Sequence, residues 1–432
     1  MVTALFLTAI VLELALMAYS LATRSSQEKT RSIIRVVALV LFTLLVATSL
    51  IQWSFRWVAL AALLLVWALL ALLKLFGRQR PARAYRARAI VFRAIAALVL
   101  LFLALSPALL FPPHPQPAAT GPYAVASAQY TYTDESRAEL YDSTGEMRKV
   151  NVAFWYPENA EGPFPLVVFS HGALGIRTSN LSLYHELASH GYVVASPDHP
   201  YLSFWSTDTD GQTTFLSMDY FRELQQEDAQ RDKEQSYAYY QKWMSVRMGD
   251  LHVVLDTILG EASGGAPGVY SLVDPERIGV MGHSLGGSAA LGMGRERGDV
   301  SAVIALESPF MFDIQGVDHG EFVLTREPYP VPVLNVYSDS AWGHLSEWPQ
   351  YAGNVALLSG DHPAAFNLHI DGLGHLGLTD LALSSPLLVR LADGARPARD
   401  SVEGLRLINE TCLRFFDAYL KNHGKFQLPV AP

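Results

Sequence analysis

Four long apolar stretches dominate the first 112 residues, running over roughly 3–21, 33–53, 57–76 and 94–111. Each has about the 17–25 residues that a helix needs to cross the hydrocarbon core of a bilayer. The second reads VVALVLFTLLVATSLIQW and the third VALAALLLVWALLALLKLF, with no internal charge until Lys74. Helices buried in soluble domains rarely stay apolar on every face for so long. Glu13 interrupts the first stretch. It reads either as a group that faces the other helices and has a function or as a charge tolerated in an anchor helix.

Beyond residue 112 the pattern changes. Residues 113–128 are rich in Pro, Ala and small residues, which predicts an extended tether. YTYTDE and RKVNVAFWYP flank DSTGEM, an antiparallel hairpin with a glycine-containing turn. The runs PLVVFSHG, GYVVASPDH, RIGVMGHS, AVIALES, VPVLNVYS and FNLHIDGLGH then follow in order, each apolar and each ending in a polar or glycine-rich turn. Helical stretches such as 183–190 and 246–259 separate several of them. This alternation predicts an α/β fold, a mostly parallel sheet with helices on both faces, over residues 129–432. Ligands of such sheets bind at the carboxyl ends of the strands, where all these turns fall. Residues 201–245, long, polar and aromatic, predict a lid or side excursion.

Charge sharpens the division. Residues 1–112 carry 12 Lys and Arg against two acids, whereas the remainder carries 20 against 39. A positive field for nucleic acid is missing from the acidic body, so no nucleic-acid partner is expected. Arg24, Lys29, Arg31 and Arg35 lie between the first two stretches. Lys74, Arg78, Arg80, Arg83, Arg86, Arg88 and Arg93 lie between the last two, while residues 112–136 contain no Lys or Arg. Basic loops stay cytoplasmic. The expectation is therefore a four-helix transmembrane region with the α/β domain extracytoplasmic, most simply at a bacterial inner membrane. A cleaved signal peptide over residues 1–22 is the competing reading, but no basic segment precedes the apolar run. The single cysteine, Cys412, excludes an internal disulfide framework.

The sharpest chemical signal is RIGVMGHSLGGSAALGM. An apolar strand feeds Gly282-His283-Ser284-Leu285-Gly286, and small residues then open a helix. This is the nucleophile elbow, a strained strand-to-helix turn that exposes Ser284 at the sheet edge. A nucleophilic serine needs a base, a group to orient that base, and donors for the oxyanion. His375 in DGLGHLGLTD follows the last apolar strand and fits the chain order Ser, acid, His. The oxyanion donors are expected to be the N–H groups of Leu285, next to the nucleophile, and of Ala173 in the His171-Gly172-Ala173 turn. His171 and His199 end strands ahead of the elbow and are read as shaping the pocket, and His283 as packing. Metal-ligand spacings, a phosphate-binding glycine loop and a dinucleotide fingerprint are not seen, so no cofactor or metal is expected.

Two carboxylates compete to orient His375. Glu307 in ALESPF and Asp339 in VYSDSAW both follow apolar strands and both lie between Ser284 and His375. Asp339 has the commoner location for such an acid. Glu307 is favoured because it ends its strand directly and its longer side chain spans more distance.

PLVVFSHGALGIRTSN…LASHGYVVASPDH, followed by VDPERIGVMGHSLGG, ALES and GHLGLTD, resembles the platelet-activating factor acetylhydrolase family and its neighbours among the α/β-hydrolases. The resemblance covers roughly residues 125–420 and none of the apolar third. It implies an α/β-hydrolase fold and a serine esterase that removes short or oxidised acyl groups from lipids at interfaces. It also favours Glu307, which falls 23 residues after Ser284, where the family places its acid. The chain departs from the family in its four apolar stretches, in Glu for Asp at that acid, in the 201–245 segment and in the loop 310–330. These departures bear on the substrate more than on the chemistry. The expected function is a membrane-anchored serine hydrolase of small-molecule or lipid carboxylic esters. The competing readings are a catalytically inactive binding or signalling module and a membrane acyltransferase worked by the four helices.

Overall fold

The computed structural model describes residues 2–77, 85–360, 363–394 and 397–429. Arg78, Arg80 and Arg83, part of the basic loop noted above, lie outside the described residues. The chain forms two compact units, Met1–His114 with Ser384–Leu388, and Pro115–Leu383 with Val389–Pro432.

The first unit holds helices α1 (Val2–Ala22), α2 (Glu28–Ala47), α3 (Val58–Phe76) and α4 (Ala87–Leu110). All four are long and apolar enough to cross a membrane. Two begin earlier than the apolar runs suggest, α2 at Glu28 and α4 at Ala87, because Glu, Lys, Arg and Ala are strong helix formers that extend a helix beyond its apolar run. α2 stops at Ala47 rather than near residue 53; Ser49 there turns into the left-handed region at φ 57°. Along α4 the buried positions are mostly small, with Ala94, Ala97, Ala104 and Ala108 at helical spacing, while Phe92 is 73% exposed. Small residues at helix contacts and large apolar ones outside are the arrangement expected of helices solvated by lipid.

The second unit is built on an eight-stranded sheet. Its strands are β1 (Val125–Ala138), β2 (Met147–Pro157), β3 (Phe164–Ser170), β4 (Val193–Pro197), β5 (Val273–His283), β6 (Val300–Leu306), β7 (Val333–Tyr337) and β8 (Ala365–His369). The spatial order is β1-β2-β4-β3-β5-β6-β7-β8. β1 and β2 form the antiparallel hairpin, in register from Val125↔Pro157, and β1 begins inside the range expected as tether. β2 also pairs antiparallel with β4; every later pairing is parallel.

Strand periodicity explains the layers. Leu166 and Val168 of β3 face one core with Val280, Val303 and Ala305, whereas Val167 and Phe169 face the other with Met281, Ile304 and Leu306. Side chains alternate across a strand, so a strand apolar at every position fills both faces. The helices Lys233–Ser263 and Leu285–Glu296 cover the first face, and Leu181–Ser189 and Ser401–Leu420 the second. The 201–245 segment divides. Trp205–Thr207 pairs with Thr213–Phe215 as a small hairpin, but residues from Lys233 onward are the first turns of the 31-residue core helix. Ser236, Tyr240, Trp243 and Met244 are buried at spacings of three and four, a helix face rather than a lid.

Candidate active site

β5 delivers Ser284 at the sheet edge, where its backbone adopts φ 54°, ψ −126°. A side chain at positive φ is strained. The strain is held by the turn's own bonds: Ser284 N–H donates to the Leu306 carbonyl of β6 at 2.9 Å, and Ser288 N–H to the Ser284 carbonyl at 3.0 Å. Two glycines make the turn possible. A Cβ on Gly282 would run into the Gly286 backbone, and one on Gly286 into the Ser170 carbonyl.

Glu307 follows β6 immediately, also at positive φ, 47°. Its N–H donates to the Val336 carbonyl at 2.7 Å. Only 2% of Glu307 is exposed, and its carboxylate is held from two sides. One oxygen lies 2.6 Å from His375 Nδ1, and the other accepts the Ser338 N–H at 2.6 Å. Burial alone works to raise its pKa, yet the hydrogen bonds from His375 and Ser338 outweigh it and hold the group below the usual glutamate range. Asp339 is elsewhere. Its side chain is 53% exposed and accepts from His369 Nε2 and the Gly372 N–H, both at 2.9 Å.

His375 is fixed along its backbone as well. Its N–H donates to Ser340 Oγ at 2.9 Å, and its carbonyl accepts from His283 Nε2 at 3.1 Å. His283 packs ring to ring with His375, centroids 4.5 Å apart. Burial, with His375 adding to it, drives His283 well below the ordinary histidine pKa, so the ring is neutral and its Nε2 donates. With Nδ1–H of His375 given to Glu307, the Nε2 lone pair is free to take a proton. Among the described residues, Ser284 Oγ and His375 form no direct hydrogen bond; such bonds often tighten only with substrate bound.

The turn after β3 abuts the elbow. A Cβ placed on Gly172 would lie 3.3 Å from Ser284 Cβ and 2.8 Å from His283 Nδ1. Neither Ala173 nor Leu285 gives its N–H to another protein group among the described residues. Sequence reasoning missed what lies beneath this turn. Arg247, fully buried in the helix Lys233–Ser263, donates to the carbonyls of His171 at 2.6 Å and Gly172 at 3.3 Å. Beside it runs a second serine–histidine–aspartate array. Ser170 Oγ stands 2.8 Å from His199 Nε2, and His199 Nδ1 stands 2.9 Å from Asp250 Oδ2. All three are buried from solvent, so no substrate reaches them and they brace the turn. Burial, reinforced by Arg247, pushes His199 down to about 4, and the guanidinium of Arg148 helps hold Asp250 far below the usual aspartate range against the effect of its own burial. Arg247 lies far in sequence from Ser338 and Ser340, and no spacing marks any of the three.

Among the described residues no group of three or more His, Cys, Asp or Glu is disposed to hold a metal. The exposed Phe204, Trp205 and Phe215 of the small hairpin lie beside the turn after β3, to which Phe204 N–H is joined through the Gly175 carbonyl at 3.3 Å.

Comparison with known proteins bears on the family and the fold. A family model, platelet-activating factor acetylhydrolase, isoform II, matches residues 139–428. Two curated proteins named platelet-activating factor acetylhydrolase are similar: that of Cavia porcellus is 24% identical over 287 residues, covering 60% of this chain and 58% of the relative, and that of Bos taurus is 24% identical over 281 residues, covering 60% and 57%. The matched region thus spans under two thirds of either relative. Among solved structures, a ferulic acid esterase from Streptomyces cinnamoneus superposes with a TM-score of 0.54 at 22% identity, over 71% of this chain and 93% of its own, a likeness of fold.

Proposed function

Because the chain belongs to the platelet-activating factor acetylhydrolase, isoform II, family, we propose that it is a membrane-anchored serine hydrolase of carboxylic esters. Ser284 Oγ attacks the ester carbonyl carbon and gives its proton to His375 Nε2. Glu307 keeps the Nδ1 proton in place and stabilises the imidazolium that forms. The N–H groups of Ala173 and Leu285 receive the oxyanion. The bond to the leaving alcohol then breaks as His375 returns the proton to it, and water, activated by the same histidine, releases the acid and frees Ser284.

The observation that carries this reading is the 2.6 Å contact between Glu307 and His375 at the strand edge that also holds the elbow. The two oxyanion donors, unpartnered among the described residues, support it further. The substrate class is a lipid ester with a short or oxidised acyl chain. An acidic body disfavours anionic polymers, and the exposed aromatic side chains of the hairpin beside the oxyanion turn suit an apolar group.

The basic residues between α1 and α2 and around the α3–α4 loop support a topology with the N-terminus and the hydrolase unit outside a bacterial inner membrane. A C-terminal alkaline phosphatase fusion active in cells agrees with this orientation, and a fusion active only in the cytoplasm refutes it.

The chemistry is tested by labelling the full chain with a fluorophosphonate. Labelling that disappears in Ser284→Ala, with the circular dichroism unchanged, supports the nucleophile. Persistent labelling in that variant, or none in the wild type, sinks it; the second result returns the protein to the class of inactive hydrolase folds. An ester panel graded by acyl length then tests the substrate class, and a preference for long unoxidised chains rejects it.

A further inference from the structure

The first unit contains a site that ester hydrolysis does not use. A cavity of about 350 Å³ opens among α2, α3 and α4. Four cationic side chains line it, Arg31, Arg35, Lys74 and Arg93, with one carboxylate, Glu28. The balance of charge can be followed pair by pair. Glu13, the buried acid of α1, takes Arg35 at 3.3 Å, and Glu28 takes Arg93 at 3.4 Å. Arg31 reaches Glu13 only at 4.0 Å, and its Nε and Nη2 are buried without a hydrogen-bond partner among the described residues. Lys74 forms no ion pair among the described residues. Two cations thus remain beyond what the two carboxylates neutralise.

Unpartnered buried guanidinium N–H groups are costly, and within a bilayer the cost of an uncompensated charge is larger. A planar guanidinium fits a phosphate bidentately, and a lysine beside it serves as a point charge. The cavity wall then continues onto Leu70, Phe92 and Leu100. All three are exposed on the outer surface of α3 and α4, where acyl chains run when the helices span a membrane. A phosphate set against Arg31 and Lys74 therefore has apolar surface leading away from it into the lipid. The cations belong to the helix ends that join the basic loops, the cytoplasmic side in the topology proposed above, where anionic lipids are recognised by such pockets.

From these observations we infer that the cavity among α2, α3 and α4 binds the phosphate headgroup of an anionic phospholipid, with Arg31 and Lys74 as its principal contacts. Glu13 acquires a role in this arrangement: it neutralises Arg35, which also lies 3.5 Å over the Trp67 ring, and so leaves Arg31 for the ligand. The inference rests on membrane insertion but not on the hydrolase chemistry.

The test uses the full chain in neutral detergent, offered equal phosphatidylglycerol and phosphatidylcholine and read by native mass spectrometry. Phosphatidylglycerol is expected to be retained roughly tenfold more than phosphatidylcholine, and the preference should collapse in Arg31→Gln/Lys74→Gln. Arg56→Gln, which removes a charge outside the cavity, should keep it. Circular dichroism and elution volume establish that each variant is folded, and the single Lys74→Gln, at an exposed position, supplies a milder loss should the double variant fail to fold. Equal retention of the two lipids, or an undiminished preference in Lys74→Gln and the double variant, overturns the site. Displacement of phosphatidylglycerol by inorganic phosphate at millimolar concentration also overturns it, since the cavity would then take a free anion rather than a headgroup.

Discussion

Glu307 Oε1 lies 2.6 Å from His375 Nδ1, although the two residues are 68 positions apart. The end of β6 brings Glu307 to this point at φ 47°, and Ser338 N–H and Ser340 Oγ, from one short segment, hold the carboxylate and the histidine backbone respectively. Asp339 instead accepts from His369 and the Gly372 N–H in an exposed cluster of its own, with no hydrogen bond to His375 among the described residues.

Removing the orienting carboxylate should therefore be costly at one position only. Glu307→Gln is expected to lower kcat by a factor on the order of 10⁴, as when the aspartate of a serine-protease triad becomes asparagine. Asp339→Asn should stay within a few-fold of wild type. Steady-state kinetics on a soluble p-nitrophenyl ester compares them, and a larger loss in the Asp339 variant would falsify the assignment.

Arg247 acts through the turn that carries Ala173, not on the substrate. Arg247→Met removes the donors to the His171 and Gly172 carbonyls and should reduce kcat by about 10–10², somewhat less than removal of an oxyanion donor itself, with KM little changed. Arg247→Lys should recover part of the rate. A change confined to KM, or a loss explained wholly by a lowered fraction of folded protein, would contradict a positioning role.

The buried Ser170–His199–Asp250 array has the bond pattern of a triad but no access. Ser170→Ala should consequently keep fluorophosphonate labelling at Ser284, with mass spectrometry of the labelled peptide locating the adduct. An adduct on Ser170 in the wild type would overturn this.

Acid should unfold the second unit through its neutral histidines. Burial holds His171 and His283 well below the ordinary value of 6.5, and His199 at about 4. The unfolded chain therefore binds more protons between about pH 4 and 6.5, so stability is present above that window and is lost as pH falls through it. Asp250 and Glu307, held low in the folded state, act with the same sign at lower pH. The Tm of the hydrolase unit in the full chain should fall as pH drops from about 7 to 4.5. His199→Gln should lower Tm at pH 7 yet flatten its slope across the acid range; parallel slopes for the two proteins would refute the linkage.

Apolar periodicity made the four long helices, the hairpin and the parallel sheet legible in the sequence, because strands filling two cores must be apolar at every position and helices solvated by lipid must be apolar all round. The elbow was legible as well: its glycines at 282 and 286 are demanded by backbone contacts within one short turn. Chain order narrowed the acid to Glu307 or Asp339 but could not separate them, since both end neighbouring parallel strands. The 201–245 segment was legible only in part, as its polar residues masked the buried helix face of Tyr240, Trp243 and Met244.

What only the tertiary structure decided are the contacts between segments distant along the chain: Glu307 rather than Asp339 against His375, Arg247 beneath the Gly172 turn, and Glu13 against Arg35 across two helices. Local pattern records which way a side chain points relative to its own helix or strand. Which partner it meets depends on how those elements pack, and a single hydrogen-bonded pair, formed once in the fold, leaves no periodic trace in the sequence.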